Sequence, residues 1–292
     1  MHSENSRSSH LSRAQILGGL VALMRPVNTV VAFVGVAAAC IIAGAEWSNV
    51  ERILLAASAG ALLGASGNVI NDVFDISIDR INKPARAVAA GIVTPFTATI
   101  WAAVCAATGI ALSIPLGTAA FSIAIGSAIL MYLYSAWLKR IPFVGNFVVG
   151  VLTGAAFIFG GLAFGNPAAG IVPGLFAFFF NVARELLKDV EDMHGDGVNN
   201  VRTFPLIAGE TMALGVVTAI LALVMLGSAV PFLFSLYDSL YFWVVFFGVD
   251  CVLAYVLFAM WNDRSTGNIA RLNILLKYDM LLGIAAIVLG TR

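Results

Sequence analysis

The sequence predicts an all-α protein, a bundle of about nine transmembrane helices with two aspartate-rich loops on its cytoplasmic side. Sixty per cent of its 292 residues are hydrophobic and only 11% are charged, whereas a soluble domain carries about 25% charged residues. The apolar residues form long runs and not the short alternating strands of a membrane β-barrel. The charged residues gather between every second pair of runs, which is typical of a polytopic membrane protein.

Nine apolar runs are long enough to cross a hydrocarbon core of about 30 Å, which takes about 20 helical residues. In chain order they are Val27–Gly44, Ile53–Ile70, Thr94–Ile114, Thr118–Leu138, Phe143–Phe164, Ile171–Leu187, Thr211–Phe232, Leu240–Trp261 and Ile274–Leu289. Residues 1–15 are expected to form a polar tail, because they lack the apolar core of a signal peptide. Ile16–Met24 is expected to be a helix leading into the first run. Residues 16–292 are expected to form a single transmembrane domain.

The cations are distributed unevenly among the loops. The tail and the even-numbered loops contain Arg7, Arg13, Arg80, Lys83, Arg86, Lys139, Arg140, Lys188, Arg202, Arg264 and Arg271, and the odd-numbered loops contain only Arg52. Cytoplasmic loops of membrane proteins are rich in Lys and Arg. The sequence therefore predicts a multi-pass protein of the cell membrane with its tail and even-numbered loops in the cytoplasm. We expect the lipid bilayer as its environment and no nucleic acid as a partner.

Two acidic segments lie at this face, and they match each other. Residues 71–82 and 188–199, offset by 117 residues, share the spacing Asp-x-x-Asp-x-x-x-Asp. The matched aspartates are Asp72, Asp75 and Asp79 in the first copy and Asp189, Asp192 and Asp196 in the second. We interpret the match as a parallel internal repeat. Gly195 and Gly197 are expected to end the helix that carries the second copy.

The acidic residues of each copy share one face of a helix. In the first copy the three aspartates span an arc of about 60°, with Asn68 and Asn71 on the same face, and Asn181 and Glu185 extend the face of the second copy. Carboxylates this close repel one another and are costly near a membrane, so a cation must offset them. Mg²⁺ takes one or two carboxylates from a protein and its other ligands from water and phosphate. The two copies therefore predict two Mg²⁺ ions around one diphosphate.

Basic and aromatic residues lie at the same face. The candidate partners of phosphate oxygens are Lys83, Arg86, Lys139, Arg140, Arg184, Lys188 and Arg202. Arg25 opens the first run as Arg25-Pro26-Val27-Asn28 and suggests an anionic ligand, with extension to the membrane interface as the alternative. The candidates to line a cavity for a lipid chain, with ordinary helix packing as the alternative, are Tyr132, Tyr134, Phe176, Phe178, Phe179 and Phe180.

These motifs resemble a known family. Asn71–Asp79 followed by Asn82-Lys83-Pro84-Ala85-Arg86, and Tyr134-Ser135 followed by Lys139-Arg140, resemble signatures of the UbiA superfamily of intramembrane prenyltransferases. Residues 184–192 with Gly195-Asp196 are similar to its second motif. Within the superfamily, the second motif and the Asn-Lys-Pro-x-Arg loop most resemble digeranylgeranylglyceryl phosphate synthases. The chain departs from the family at residues 87–91, where Ala-Val-Ala-Ala-Gly stands in place of a proline and a short glycine-containing turn.

The resemblance implies a role for each motif residue. The ligands of two Mg²⁺ ions would be Asn71, Asp75, Asp192 and Asp196, with Asp72, Asp79 and Asp189 close by. The diphosphate would be contacted by Lys83, Arg86, Lys139 and Arg140, and the acceptor by Arg25, Asn28, Tyr134 and Ser135. Further candidates for substrate contacts are Asn68 and Lys188. The catalytic groups would be Asp75, Asp192, Lys139 and Tyr134.

The implied reaction is Mg²⁺-dependent transfer of a prenyl group, geranylgeranyl, from its diphosphate to the hydroxyl of geranylgeranylglyceryl phosphate. An aromatic acceptor, as in quinone or chlorophyll-type biosynthesis, is the alternative within the superfamily. A CDP-alcohol phosphotransferase is disfavoured because its acidic residues form one continuous run. A cation transporter is the alternative outside enzymes. Transporter sites tend to lie near the bilayer midplane, whereas these acids lie at one interface, with Asp250 and Asp279 as exceptions.

Overall fold

Helices form the fold of this chain. The structure, a computed structural model, describes residues 12–198 and 202–291, without the side chains of residues 194–198. The helices are α1 (Arg13–Leu23), α2 (Pro26–Ile42), α3 (Val50–Phe74), α4 (Ile76–Asn82), α5 (Pro95–Ser113), α6 (Thr118–Ala136), α7 (Val144–Ala163), α8 (Ile171–Val198), α9 (Phe204–Ala208), α10 (Glu210–Ser228), α11 (Val230–Leu233), α12 (Ser239–Val244), α13 (Cys251–Asn262) and α14 (Thr266–Gly290). A π-helical turn, Val245–Asp250, joins α12 to α13. No strand occurs in the described ranges, so the all-α prediction is confirmed.

The membrane spans agree with the apolar runs. Within the described residues, eight helical segments are long and apolar enough to cross a membrane, and α1 with α2 makes a ninth if that bent pair counts as one span. The bend is 47°. Its cause is local, because Pro26 begins α2 and Arg25 before it has φ 54°, a left-handed conformation that side-chain-bearing residues rarely adopt. The prediction of about nine spans is confirmed, with its first span bent.

Three boundaries differ from the sequence predictions. Helix α1 begins at Arg13, so the last residues assigned to the polar tail are helical. The acidic segments lie in helices and not in loops, the first at the end of α3 and in α4, the second in α8. Helix α8 continues through Gly195 and Gly197 to Val198, so the expected helix end there is wrong. A glycine inside a helix costs only about 1 kcal/mol, which the rest of a long helix can offset.

The internal repeat extends beyond the acidic segments. Helices α2 and α7 each begin after a non-glycine residue with positive φ, Arg25 at 54° and Phe143 at 66°. Each is followed by a long helix that carries an acidic segment, then by a short helix and further spans, while α14 has no counterpart. The two halves of the chain therefore present equivalent helix ends at one face of the bundle.

Glycines bring α7 and α8 into close contact. A Cβ added to Gly154 would lie 2.8 Å from the carbonyl oxygen of Gly174, and one added to Gly174 would lie 3.0 Å from that of Gly154. Such contacts between small residues let membrane helices pack backbone to backbone. These two helices are the most buried of the candidate spans among the described residues, and their contact positions the second acidic segment.

Arg52 lies at the opposite end of the bundle from the acidic segments. Its guanidinium donates hydrogen bonds to the carbonyl oxygens of Ala163, Pro115 and Leu116. The side chain therefore joins the start of α3 to the end of α7 and to the turn between α5 and α6.

A small cavity of about 70 Å³ lies inside the second half of the bundle. Its lining includes Phe176, Phe180 and two aspartates of the membrane-spanning region, Asp250 and Asp279. Ser228 donates a hydrogen bond of 2.9 Å to Asp250. Asp279 is only 3% exposed, and neither of its oxygens has a hydrogen-bond partner among the described residues.

Candidate active site

Lys139 bridges two oxygen donors of the first acidic segment. Helix α3 ends at Phe74, and Asp75 joins it to α4. The Lys139 ammonium lies 3.0 Å from Asn71 Oδ1 and 2.6 Å from Asp75 Oδ1, while Asn71 Nδ2 donates to Asp75 Oδ2 at 2.8 Å. Burial lowers the pKa of Lys139, and the Asp75 carboxylate opposes that change. A positive charge thus lies between an amide oxygen and a carboxylate oxygen.

The other two aspartates of this segment are paired with guanidinium groups. Arg25 Nη2 lies 2.7 Å from Asp72 Oδ1, and Arg86 Nη1 lies 3.1 Å from Asp72 Oδ1 and 2.6 Å from Asp79 Oδ2. Both aspartates are buried. Burial raises the pKa of Asp79, and the contact with Arg86 opposes that rise. The three aspartates therefore do not converge on one point, since Asp75 alone contacts the lysine.

The turn after α4 holds Arg86 in place. The Ala90 amide donates to the Arg86 carbonyl at 2.7 Å, and Ala87 and Val88 are buried in a cluster with Leu23 of α1. The residues that depart from the family pattern therefore form a compact turn beneath α1. A cavity of about 410 Å³ lies between α1 and this turn, and its lining includes both guanidinium-bearing residues and Asp72.

In the second acidic segment, Asp189 is oriented by α7. Asn146 Nδ2 donates to Asp189 Oδ2 at 2.8 Å. Asp192 is half-buried, and no described residue forms an ion pair with it. Asp196, the third aspartate expected here, lies outside the described side chains.

The glutamates of α8 have different partners. Glu185 contacts two cations of its own helix, Arg184 Nη1 at 3.0 Å and Lys188 Nζ at 3.5 Å. Glu191 accepts a hydrogen bond of 2.7 Å from Asn273 of α14. The contact to Asn273 fixes the register of α14 against α8 beside the acidic face.

Tyr134 lies between the two acidic segments. An added Cβ on Gly145, at the start of α7, would lie 3.0 Å from Lys139 Cα and 3.6 Å from the Tyr134 ring. The Tyr134 hydroxyl is close enough to interact with the charges of Asp75 and Asp189. Both segments therefore face one space, which Tyr134, Lys139 and the start of α7 border.

The remaining predicted residues lie farther from the paired acids. Lys83 and Arg140 are exposed, and neither forms an ion pair with a described acidic residue. Ser135 is fully buried, and its hydroxyl has no described partner. Asn68 donates to the Met24 carbonyl at 3.1 Å, so it stabilises the turn between α1 and α2.

Sequence reasoning missed two residues near this site, and each had a detectable signal. Asn146 is the third residue of α7, as Asn28 is the third residue of α2. Extending the repeat alignment to the helix starts would have found it. Lys277 Nζ lies 2.7 Å from Asn28 Oδ1. Its signal was a cation inside the ninth apolar run.

The donors of this site suit a hard divalent cation. No group of three or more His, Cys, Asp or Glu side chains in the described ranges lies close enough together to hold a metal ion. Mg²⁺ binds mainly oxygen and usually completes its shell with water and substrate phosphates. Asn71 and Asp75, which already surround the Lys139 ammonium, fit one such partial shell. Asp189 and Asp192 offer carboxylates for another.

Comparison with known proteins gives the family. Residues 30–278 match the UbiA prenyltransferase family. The digeranylgeranylglyceryl phosphate synthase of Methanopyrus kandleri is 33% identical over 264 residues, which cover 90% of this chain and 96% of that protein. The synthase of the same name from Halobacterium salinarum is 36% identical over 272 residues, covering 93% of this chain and 96% of that protein.

Solved structures share the fold. A chain from the work described as "Structural and mechanistic insights into the biosynthesis of Digeranylgeranylglyceryl phosphate synthase in membranes" has a TM-score of 0.77 and 29% identity, over 94% of this chain and 98% of that one. A UbiA homolog from Archaeoglobus fulgidus bound to GPP and Mg²⁺ has a TM-score of 0.67 and 18% identity, over 92% of this chain and 99% of that one. The family match covers most of the chain, and the two acidic segments lie at one membrane face of a helical bundle shared with these structures. The chain therefore belongs to the UbiA prenyltransferase family.

Proposed function

We propose that this chain transfers a geranylgeranyl group from its diphosphate to the free hydroxyl of geranylgeranylglyceryl phosphate, with Mg²⁺. The observation that carries the proposal is the pairing of two matched acidic segments with cations around one space at the membrane face. Curated relatives that align over about nine-tenths of the chain bear the name of this synthase.

Two Mg²⁺ ions would be held by the acidic segments. Asn71 and Asp75 would bind one ion and Asp192 the other, with Asp189 oriented by Asn146 beside it. Asp196 belongs to this proposed set through its place in the repeat. When bound, Mg²⁺ neutralises the negative charge that develops on the leaving diphosphate.

The basic residues would bind the diphosphate oxygens. The Lys139 ammonium can move from the Asn71–Asp75 pair to a phosphate oxygen, because a metal ion in that pair would supply the positive charge that the lysine supplies now. Arg86 is held by a buried turn with its guanidinium at the acids, so it can donate to phosphate with little loss of side-chain entropy. Exposed Lys83 and Arg140 would attract the anion from the aqueous phase.

The transfer itself exchanges one carbon–oxygen bond for another. The bond between the prenyl carbon and the diphosphate oxygen breaks, and the diphosphate leaves with the electron pair. The acceptor hydroxyl oxygen bonds to the allylic cation and releases its proton, which the departing diphosphate can accept. The residues that surround Tyr134 would exclude water from this cation, and the aromatic face of Tyr134 would stabilise its charge.

The acidic face would lie in the cytoplasm. Among the described loop residues the cations concentrate at this face, and the opposite face has only Arg52, which the positive-inside rule associates with a cytoplasmic orientation. Water-soluble diphosphate and Mg²⁺ would then reach the site from the cytoplasm, and the lipid acceptor would reach it from the bilayer.

The test is a transfer reaction with the purified chain in detergent. Geranylgeranyl diphosphate, geranylgeranylglyceryl phosphate and Mg²⁺ should give the diether product by mass spectrometry, and EDTA should abolish it. Asp75→Ala and Asp192→Ala should each lose transfer while keeping the thermal unfolding profile of the parent chain. Near-normal turnover by the double variant would refute the metal assignment. Prenylation of a hydroxybenzoate or naphthoate in place of the lipid would move the acceptor to the aromatic class.

A further inference from the structure

Lys277 is an intramembrane cation with no carboxylate partner among the described residues. It lies on α14, three residues into the apolar run that begins at Ile274, and it is half-buried. Its ammonium contacts Asn28 Oδ1 at 2.7 Å, and none of the ion pairs of the described residues includes it. A charged residue at this depth is costly, and such residues usually face a partner or a ligand.

Arg184 of α8 lies within electrostatic range of Lys277. Asn273 contacts Glu191, and Met280 contacts Asn181, so α14 runs antiparallel to α8 and residue 277 lies opposite the segment 184–188. The charges of Arg184 and Lys277 are close enough to interact. Two cations that repel each other are thus held on neighbouring helices, which favours an anion between them.

The guanidinium of Arg184 also has a hydrogen-bond donor without an acceptor among the described residues. Its Nη1 contacts Glu185 at 3.0 Å, but its Nε is buried and has no hydrogen-bond partner among the described residues. A buried donor without an acceptor costs about 1–3 kcal/mol, and an anionic ligand would remove that cost. Within the described residues, Glu185 is the carboxylate in ion-pair contact with both Arg184 and Lys188. With Lys277 there are three cations to this one carboxylate.

This cluster is separate from the groups assigned to the diphosphate. Lys139 and Arg86 contact the first acidic segment, whereas Arg184 and Lys277 lie between α8 and α14, beside the start of α2. Arg184 and Lys277 lie near the ends of their apolar runs, Ile171–Leu187 and Ile274–Leu289, where a lipid headgroup would be expected. A phosphate monoester carries about −1.5 to −2 charges at pH 7 and three acceptor oxygens, which matches the excess of cations and the free Nε.

We propose that Lys277, together with Arg184 and Asn28, binds the phosphate of the acceptor lipid and so directs its free hydroxyl towards the prenyl carbon. This inference rests on the proposed function. It assigns the two phosphate-bearing substrates to two different groups of cations, and Lys277 becomes the residue that selects a phosphorylated acceptor.

The test compares two acceptors that differ only in that phosphate. The purified full-length chain would be assayed with geranylgeranyl diphosphate and either geranylgeranylglyceryl phosphate or geranylgeranylglycerol. Lys277→Met removes the charge and keeps the length of the side chain. We expect it to raise the KM for the phosphorylated acceptor about 10- to 100-fold, the loss of one charge-assisted hydrogen bond, and to leave the KM for the prenyl diphosphate unchanged. Lys277→Arg should restore most of the loss.

A control variant separates the site from the helix. Arg271→Met removes another cation from α14, one that contacts Tyr255 and Asn268 away from Lys277, and it should change neither KM. With geranylgeranylglycerol, the parent chain and Lys277→Met should have the same KM.

Any one of several results would overturn the inference. A KM that rises equally for both acceptors would mean a structural role for Lys277, and so would a lowered melting temperature that Lys277→Arg does not restore. A rise in the KM for the prenyl diphosphate, or weaker inhibition by inorganic phosphate competing with that substrate, would place Lys277 at the diphosphate. Inactivity of the parent chain with both acceptors would instead refute the proposed function. Normal turnover with no difference between the two acceptors would refute only the role of Lys277.

Discussion

Asn146 offers the sharpest test of how the second acidic segment is organised. It is only 7% exposed and donates one hydrogen bond, at 2.8 Å, to Asp189. Asn146→Ala removes that donor, so the carboxylate of Asp189, a proposed metal ligand, would be held less firmly in its orientation. A hydrogen bond to a charged group contributes about 1.5–3 kcal/mol, and loss of a group that orients a metal ligand typically costs about 10- to 100-fold in metal affinity or activity.

The measurement is transfer rate as a function of Mg²⁺ concentration at saturating substrates. We expect the half-saturating Mg²⁺ concentration of Asn146→Ala to rise about 10- to 100-fold, equivalent to about 1.4–2.7 kcal/mol. The matched control is Asn166→Ala, beyond the other end of α7, where the side chain accepts a long hydrogen bond of 3.4 Å from the Ala169 amide in an exposed turn. An unchanged Mg²⁺ dependence in Asn146→Ala would refute the orienting role, and an equal change in Asn166→Ala would indicate a general effect on α7.

Three further outcomes are expected. Gly154→Leu should lower the melting temperature, because its Cβ would lie 2.8 Å from the Gly174 carbonyl oxygen and overpacking costs about 1–3 kcal/mol. Gly126→Leu should leave the melting temperature unchanged, because a Cβ there meets nothing within 4 Å. Equal effects of the two variants would contradict the close contact. Asp279→Leu should raise the melting temperature, because a buried carboxyl without a described partner costs about 1–3 kcal/mol. A lower melting temperature would contradict this and would indicate a partner of that carboxyl. Geranylgeranyl diphosphate at about 100 times its Kd should stabilise the chain by about 2.7 kcal/mol only when Mg²⁺ is present, and Asp75→Ala should remove that stabilisation. Stabilisation without Mg²⁺ would argue against a site that the diphosphate and Mg²⁺ share.

Much of this fold could be predicted because the signals are local. Each apolar run needs only its own length and composition to be identified, and all nine correspond to helices. The acidic repeat was equally visible, because Asp72 and Asp189 match in sequence without any knowledge of packing. The bend at Arg25 was not visible, since the proline after it is common at the start of a straight helix.

The pairing of charges could not be read from the sequence. Arg25 contacts Asp72 across 47 residues, and Lys139 contacts Asp75 across 64. The sequence does not indicate which of these cations pairs with which aspartate. The path of α8 past Gly195 was hidden for another reason. Glycine is common at helix ends but also tolerated within helices, so its presence alone does not decide between the two.

Among the described residues, Arg52 is the cation at the end of the bundle opposite the acidic segments, so the two ends differ in charge. The carbonyl groups that it contacts lie at or near helix ends, where helices carry partial negative charge, so its own charge is largely neutralised within the protein. The same end of the bundle bears Glu46, Glu51 and Asp238. We therefore expect anions in solution to be disfavoured at this end and attracted to the other, where exposed cations such as Lys83 lie. A charged substrate would be guided to the correct side of the membrane before it meets any residue of the site.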